Sequence, residues 1–446
     1  MRRAVATALA LAAASLLVVA PAPSYDPWAW LLWGREVAGG SLSTVEGPAF
    51  KPLPVAVCAL LAPLGGAAPW LWVALVRCAA AVAAVLAFRL ARDRFAGRAT
   101  PETGRDGGAV LAGALAAAGV LLCGALPAMT AAGADPALGL ALGLGAAAAW
   151  AAGRTAPAFA LGAACGLVRV EAWPFLLAAG VVAWRREPRL RPLLAGLAVA
   201  VPAAWLLPEL IGSGDPLRSG ARAQVPNPGQ PALADVPALA SLGEAATLPL
   251  WPLWAGVAVL VAARDRAALV PAAAGAAWVA VVALMAQAGF SGEARYAVPG
   301  AALIAVSGAI GLARLAGRHR LAAVAVAVAV AAAALPRVAD LAGVRREQAY
   351  QQALATQLAT AVRAAGGRDA VLACGRPYVG RLRGPLMAYR MDVEKRVVEP
   401  DELPRAPAVV FRSRLHADDP PLPARVPASF VEVARTPVWQ VLAACA

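Results

Sequence analysis

Apolar runs of twelve to twenty-two residues, separated by short breaks rich in arginine, proline or glycine, dominate the first 336 positions of the chain. They predict eleven candidate membrane spans at about 4–20, 69–90, 108–125, 135–151, 157–168, 172–184, 192–211, 246–263, 268–288, 295–312 and 321–336. A straight helix needs about 20 residues to cross a ~30 Å hydrocarbon core. The runs 157–168 and 172–184 fall short of that and read as a hairpin of short helices around Arg169 and Glu171. The run 52–64, flanked by Pro52, Pro54 and Pro63, suits a re-entrant or interfacial helix better than a span.

Beyond 336 the pattern changes. Segment 340–366 is polar and amphipathic and stops at Gly366-Gly367, the signature of a helix with a glycine end. Short β-prone runs follow at 369–375, 406–413, 429–434 and 438–443, with proline-rich joints. The expected architecture is a polytopic α-helical membrane protein. It has about 11 transmembrane helices, interfacial helices in the first outer loop, and a small C-terminal α/β extracytoplasmic domain. The division falls between a module at 1–336 and a domain at 337–446.

Composition agrees and removes other classes. Of the 446 residues, 61% are hydrophobic and 15% charged, and mean hydropathy is +0.66. Soluble chains carry roughly a quarter charged residues. The net charge of +14 would suggest nucleic acid in a soluble domain, but here the bases sort by face, which excludes that reading. With the N-terminus cytoplasmic, seventeen arginines from Arg2 to Arg320, Arg98 among them, fall in inner loops. Six bases (Arg35, Lys51, Arg169, Arg218, Arg222, Arg295) fall in outer ones. The expected location is therefore the cell membrane, multi-pass, with the C-terminal domain extracytoplasmic. The first run reads as a retained span. Its rival is a signal peptide ending near Ala20-Pro21-Ala22, which would leave Asp26 close to a free N-terminus.

The candidate chemistry sits at outer span ends. Asp26-Pro27 and Asp135-Pro136 each read first as an N-cap with a proline in the first turn. Lys51 and Arg169, taken singly, read as snorkelling side chains. Trp28, Trp30 and Trp33 suit an interfacial helix. What changes the weighting is that Asp26, Lys51, Asp135, Arg169, Glu171, Arg295 and Tyr296 all fall on one side. Ionisable groups at membrane depth are costly and tend to mark substrate paths. Bases could hold a phosphate while a carboxylate takes a proton from an acceptor hydroxyl. No CxxC, HExxH or Gly-rich phosphate loop occurs, and His319 and His416 are the only histidines, which argues against a zinc site or a Ser-His-Asp triad. Cys374 and Cys445, the only cysteines of the tail, could form a disulfide in an oxidising exterior or remain two thiols.

The ordered set resembles the polyprenol-phosphate-sugar-dependent glycosyltransferases of the GT-C superfamily, in the branch of the protein O-mannosyltransferases and lipid A aminoarabinose transferases. The resemblance rests on Tyr25-Asp26-Pro27-Trp28, Lys51-Pro52-Leu53, Ala134-Asp135-Pro136, Gly166-Leu167-Val168-Arg169-Val170-Glu171 and Arg295-Tyr296-Ala297-Val298-Pro299. It implies a sugar moved, with inversion and without nucleotide, from a polyprenol-phosphate donor to an acceptor on the extracytoplasmic face. Asp26 would be the catalytic base, and Lys51, Arg169 and Arg295 would bind the donor phosphate. Asp135, Glu171 and Tyr296 would bind substrate, and Asp135 and Glu171 could instead help place a divalent cation. Asp26 is followed by Pro27 where some members have a second acid, which speaks against a tightly held metal, so no cofactor is firmly implied. The implied partners are the lipid-linked donor, membrane lipids, and a lipid, glycan or protein acceptor. A transporter or flippase of lipid-linked or anionic substrates is the main alternative, and an assembly protein the third. The donor sugar (mannose, arabinose or another hexose) is not fixed by the residues.

Overall fold

The computed structural model describes residues 2–96, 105–400, 402–420 and 426–445. Arg98, one of the bases assigned to an inner loop, lies outside them. Each of the eleven apolar runs is helical. α1 (Arg2–Val18) leads into α2 (Tyr25–Gly39) and the short α3 (Pro52–Leu61). A kinked turn at Gly65 (φ 54°, ψ −121°) then separates α3 from the long α4 (Ala68–Ala96). Next come α5 (Arg105–Leu121), α6 (Leu126–Ala131), α7 (Pro136–Ala151), α8 (Thr155–Gly166) and α9 (Trp173–Arg186). The second half holds α10 (Arg191–Ser213), α11 (Arg218–Ala223), α12 (Pro237–Ala246), α13 (Trp251–Ala262), α14 (Arg266–Gln287), α15 (Ala294–Ala316) and α16 (Arg320–Ala364). By length and apolar character, five helical stretches among the described residues can cross a membrane, or six if α12 and α13, bent by 95°, form one broken span.

Prolines open many of these helices, at Pro52, Pro136 and Pro252 for example, where a missing N–H costs nothing. Others lie inside α10, α14, α15 and α16, as membrane helices tolerate. α15 is the centre of the bundle and is buried along almost its whole length. Glycines let its neighbours approach. A Cβ at Gly256 of α13 would lie 1.9 Å from the Gly308 carbonyl oxygen, and one at Gly275 of α14 would lie 2.3 Å from that of Gly300. Between helices in lipid, such close van der Waals packing supplies the cohesion that the hydrophobic effect supplies in water.

α16 runs through Pro336 without a break, so the last predicted span and the amphipathic 340–366 segment form one helix of 45 residues. It ends at Gly366 and Gly367, both at positive φ (97° and 89°). Past it lie α17 (Arg368–Cys374), β1 (Arg376–Val379), α18 (Gly384–Met391), β2 (Glu399–Pro400), β3 (Ala408–Arg412), β4 (Val431–Arg435) and β5 (Gln440–Ala444). The strands form one sheet in the order β2-β1-β3-β5-β4, parallel on the β2-β1-β3 side and antiparallel on the other. Three of the four expected strands correspond to β3, β4 and β5. The run 369–375 is instead the helix α17, with the strand beginning at Arg376. A five-residue apolar run fits either period, and length alone could not arbitrate. Cys374 and Cys445 are joined by a disulfide that ties the end of α17 to the end of β5.

The candidate active site

The site is assembled where α2, the start of α3, the head of α7, the α8–α9 turn and the head of α15 meet. Lys51 has extended backbone (φ −129°, ψ 110°), as a residue before proline should, and α3 starts at Pro52 behind it. Its Nζ donates to Asp135 Oδ2 at 2.6 Å. Arg169, also extended, immediately precedes a one-turn 3₁₀ segment (Val170–Ala172) between α8 and α9, and its Nη2 donates to Asp135 Oδ1 at 3.0 Å. Gly139 of α7 makes room for it, since a Cβ there would come 3.1 Å from Arg169 Cγ. Asp135 and Arg169 are each 1% exposed, and Glu171 is buried beside them.

Two aromatic rings close the cluster. The Lys51 ammonium lies 5.4 Å from the Trp30 ring centroid. Tyr296 lies between two guanidiniums, with Arg169 at 4.9 Å and Arg295 at 5.1 Å from its ring centroid. Arg295 Nη1 donates to Asp26 Oδ2 at 3.1 Å, and its Nε pairs with Glu293 at 2.5 Å. Asp26 and Arg295 are partly exposed, so the cluster is buried at Asp135 and open at Asp26. All seven residues singled out in the sequence belong to this one connected set.

Neither aspartate side chain makes a capping hydrogen bond. Ser24 holds the N-cap position of α2 and Asp26 lies in its first turn. Asp135 occupies the N-cap position of α7, but its side chain makes no cap hydrogen bond and goes to the two bases instead. Both oxygens of a buried carboxylate facing a cation is a stronger arrangement than one backbone amide. Arg169 nevertheless keeps Nε and Nη1 buried without a partner. Among the described residues, no three His, Cys, Asp or Glu side chains converge as metal ligands.

An apolar groove runs next to the cluster, lined by chain neighbours of its members and by none of the seven residues themselves. It measures about 470 Å³ and is lined by α4, α7, α8, α9, α14 and α15, with Cys165, Ala172 and Trp278 at the cluster end. Trp278 stacks on Phe175 and donates Nε1 to the Tyr296 carbonyl at 2.8 Å.

A second network, not anticipated from the sequence, fixes the loop that delivers Lys51. Glu209, near the end of α10, is fully buried and accepts from Thr44 Oγ1 (2.6 Å), Arg218 Nε (2.8 Å) and Ser219 Oγ. Ser219 in turn accepts from the Phe50 amide at 2.6 Å, next to Lys51. The available signal was a carboxylate inside the apolar run 192–211, an uncommon residue at such a place.

The tail domain covers α2. The three tryptophans, expected at a membrane interface, meet protein instead: Trp30 packs edge-on against Trp72, Trp33 against Phe50, and Trp28 against Tyr389 of α18. Arg35 donates to the Tyr389 carbonyl at 2.8 Å and pairs with Asp392 at 2.9 Å. Glu36, on the same helix, accepts from the Ser43 amide at 3.0 Å, yet burial pushes its carboxyl up to about 7. An acid raised in the folded state stabilises fully below its ordinary value near 4.5 and loses that contribution as pH rises through about 7. Glu36→Gln should therefore raise the Tm at about pH 8 and leave it unchanged at about pH 4. Equal melting of both proteins at the higher pH would mean that the carboxylate is hydrated.

No protein-family model matches the chain, and neither does any curated protein sequence. Among solved structures, the chain is similar to ArnT from Cupriavidus metallidurans bound to undecaprenyl phosphate. The two share 14% identity at a TM-score of 0.48, over 99% of this chain and 98% of that one.

Proposed function

We propose that the protein is an integral membrane glycosyltransferase that moves a sugar from a polyprenol-phosphate donor to an acceptor hydroxyl on the extracytoplasmic face. The acceptor oxygen bonds to the anomeric carbon, whose bond to the phosphate oxygen breaks. The electron pair leaves on polyprenyl phosphate, and the hydroxyl proton passes to Asp26. Lys51, Arg169 and Arg295 bind the phosphate and stabilise the charge that develops on it. Asp135, Glu171 and Tyr296 position the substrate. The observation that carries this reading is Arg169, a 1%-exposed guanidinium whose Nε and Nη1 have no hydrogen-bond partner, in an ion cluster with an apolar groove beside it at Cys165 and Ala172. An anionic head on an apolar tail is the ligand chemistry that suits both.

Each base faces a carboxylate. A phosphate arriving at Arg295 competes with Asp26 for that guanidinium and leaves Asp26 free to act as a base. The arginine asymmetry supports a cytoplasmic N-terminus and an extracytoplasmic tail. In that orientation the module 1–336 carries the donor site, and the domain 337–446, seated over α2, contributes to acceptor binding.

The test uses purified full-length protein with a defined polyprenyl-phosphate sugar, whose identity is guided by mass spectrometry of lipids that copurify. Lys51→Ala is expected to weaken donor binding by about tenfold or more, the scale of one charge-assisted hydrogen bond. Unchanged affinity would remove Lys51 from the phosphate site. Lipid movement across vesicles without any transfer would favour the flippase reading over this one.

A further inference from the structure

A second groove, of about 1080 Å³, opens on another flank of the bundle, between α1, α4, α5, α6 and α16. Its walls are alanine, leucine and valine, and no acidic residue lines it. Four arginines do: Arg77, Arg89, Arg92 and Arg345. That volume is at the upper end for small-molecule pockets, which run about 300–1,000 Å³.

Arg77 is the unusual member. It lies within α4, is 5% exposed, and forms no ion pair among the described residues. Its Nη1 and Nη2 donate to the carbonyls of Ser15, Val19, Ala20 and Ala131, the first three at the end of α1 and the last at the end of α6. Neutral carbonyls satisfy the hydrogen bonds but not the charge. Its Nε is buried and unpartnered, and so is the Thr130 hydroxyl, which lines the same groove. Arg89 and Arg92 lie twelve and fifteen residues further along α4, about 18 and 23 Å at 1.5 Å per residue. The groove is thus an apolar channel of membrane-leaflet length with a donor pair at one end and cations at both.

We infer that this groove is a binding site for an anionic membrane phospholipid, its phosphate accepting from Arg77 Nε and Thr130 Oγ1 and its acyl chains lying along α4. The phosphate supplies the counter-charge that Arg77 lacks, and the tails cover an apolar wall. The site is separate from the Lys51 cluster, to which the donor lipid is assigned, and does not depend on that assignment.

The experiment reconstitutes the full chain in phosphatidylcholine nanodiscs containing a small fraction of phosphatidylglycerol, then counts retained lipids by native mass spectrometry. One phosphatidylglycerol should remain bound in preference to phosphatidylcholine. The double variant Arg77→Gln/Thr130→Val should reduce its retention about tenfold. Because Arg77 also ties two helix ends, Ala81→Phe serves as the second variant: it narrows the groove without altering charge and should abolish retention. Lys51→Ala should leave retention as in the parent. Equal retention of both phospholipids, parental retention in Ala81→Phe, or polyprenyl phosphate as the species held by the groove would each overturn the inference.

Discussion

Asp26→Asn should lower sugar transfer by about two to four orders of magnitude, the range for loss of a general base. The comparison that makes this informative is with the cost to folding. Asp26 and Arg295 are 19% and 27% exposed, and an ion pair open to water contributes only about 0–1 kcal/mol. The two to four orders in rate correspond to about 2.7–5.5 kcal/mol at the transition state. The variant should thus melt close to the parent, bind donor and fail at turnover. The check is a parallel measurement of donor affinity, single-turnover rate and Tm. A folded variant that transfers sugar at the parental rate would assign Asp26 to holding Arg295 and nothing more.

Asp135→Asn should produce the opposite pattern, with the main damage in stability. It keeps the shape but removes the charge that faces Lys51 at 2.6 Å and Arg169 at 3.0 Å. Breaking a buried ion pair from one side costs about 3–5 kcal/mol, because the remaining charge is left uncompensated. Total stabilities run only about 5–15 kcal/mol. The loss should therefore appear as a sharp fall in Tm and in the yield of folded protein. An anion can replace the missing carboxylate, so polyprenyl phosphate should raise the Tm of Asp135→Asn by more than it raises that of the parent. An undisturbed Tm would show that water already screens the two cations.

The seven site residues were legible because charge is scarce in this chain. Each stands out against an apolar run, and their common side follows from counting arginines. What the sequence could not supply was their pairing. Asp135 meets Lys51 across 84 positions and Arg169 across 34, while Arg295 meets Asp26 across 269. Hydrophobic periodicity is local and carries no information at those separations. The same limit hid Glu209, whose partners Thr44 and Arg218 lie on different segments, and the cover that α18 places on Trp28. Of the two cap readings, that of Asp26 failed because Ser24 takes the N-cap, while Asp135 holds the N-cap position but spends its side chain on distant bases. The tail was legible at β3 to β5, where β-prone residues lie between proline-rich joints. It was not at α17, where Ala, Val and Leu in a short run suit either conformation.

The unbroken α16 has one more consequence. The tail domain is tied to this helix, whose Leu354 carbonyl accepts from Trp439 Nε1 at 3.0 Å, and to the first outer segment, by α18 on α2 and by Lys395 on Glu46 at 3.0 Å. A helix turns about 100° per residue. One residue added between the bundle and the domain would swing α18 about a quarter-turn away from α2. Four added residues would return it to within about 40° while lifting it about 6 Å. The spacing of α16 is thus specified in whole turns, and the angular register of this helix decides whether α18 meets Trp28 and Arg35 of α2 at all.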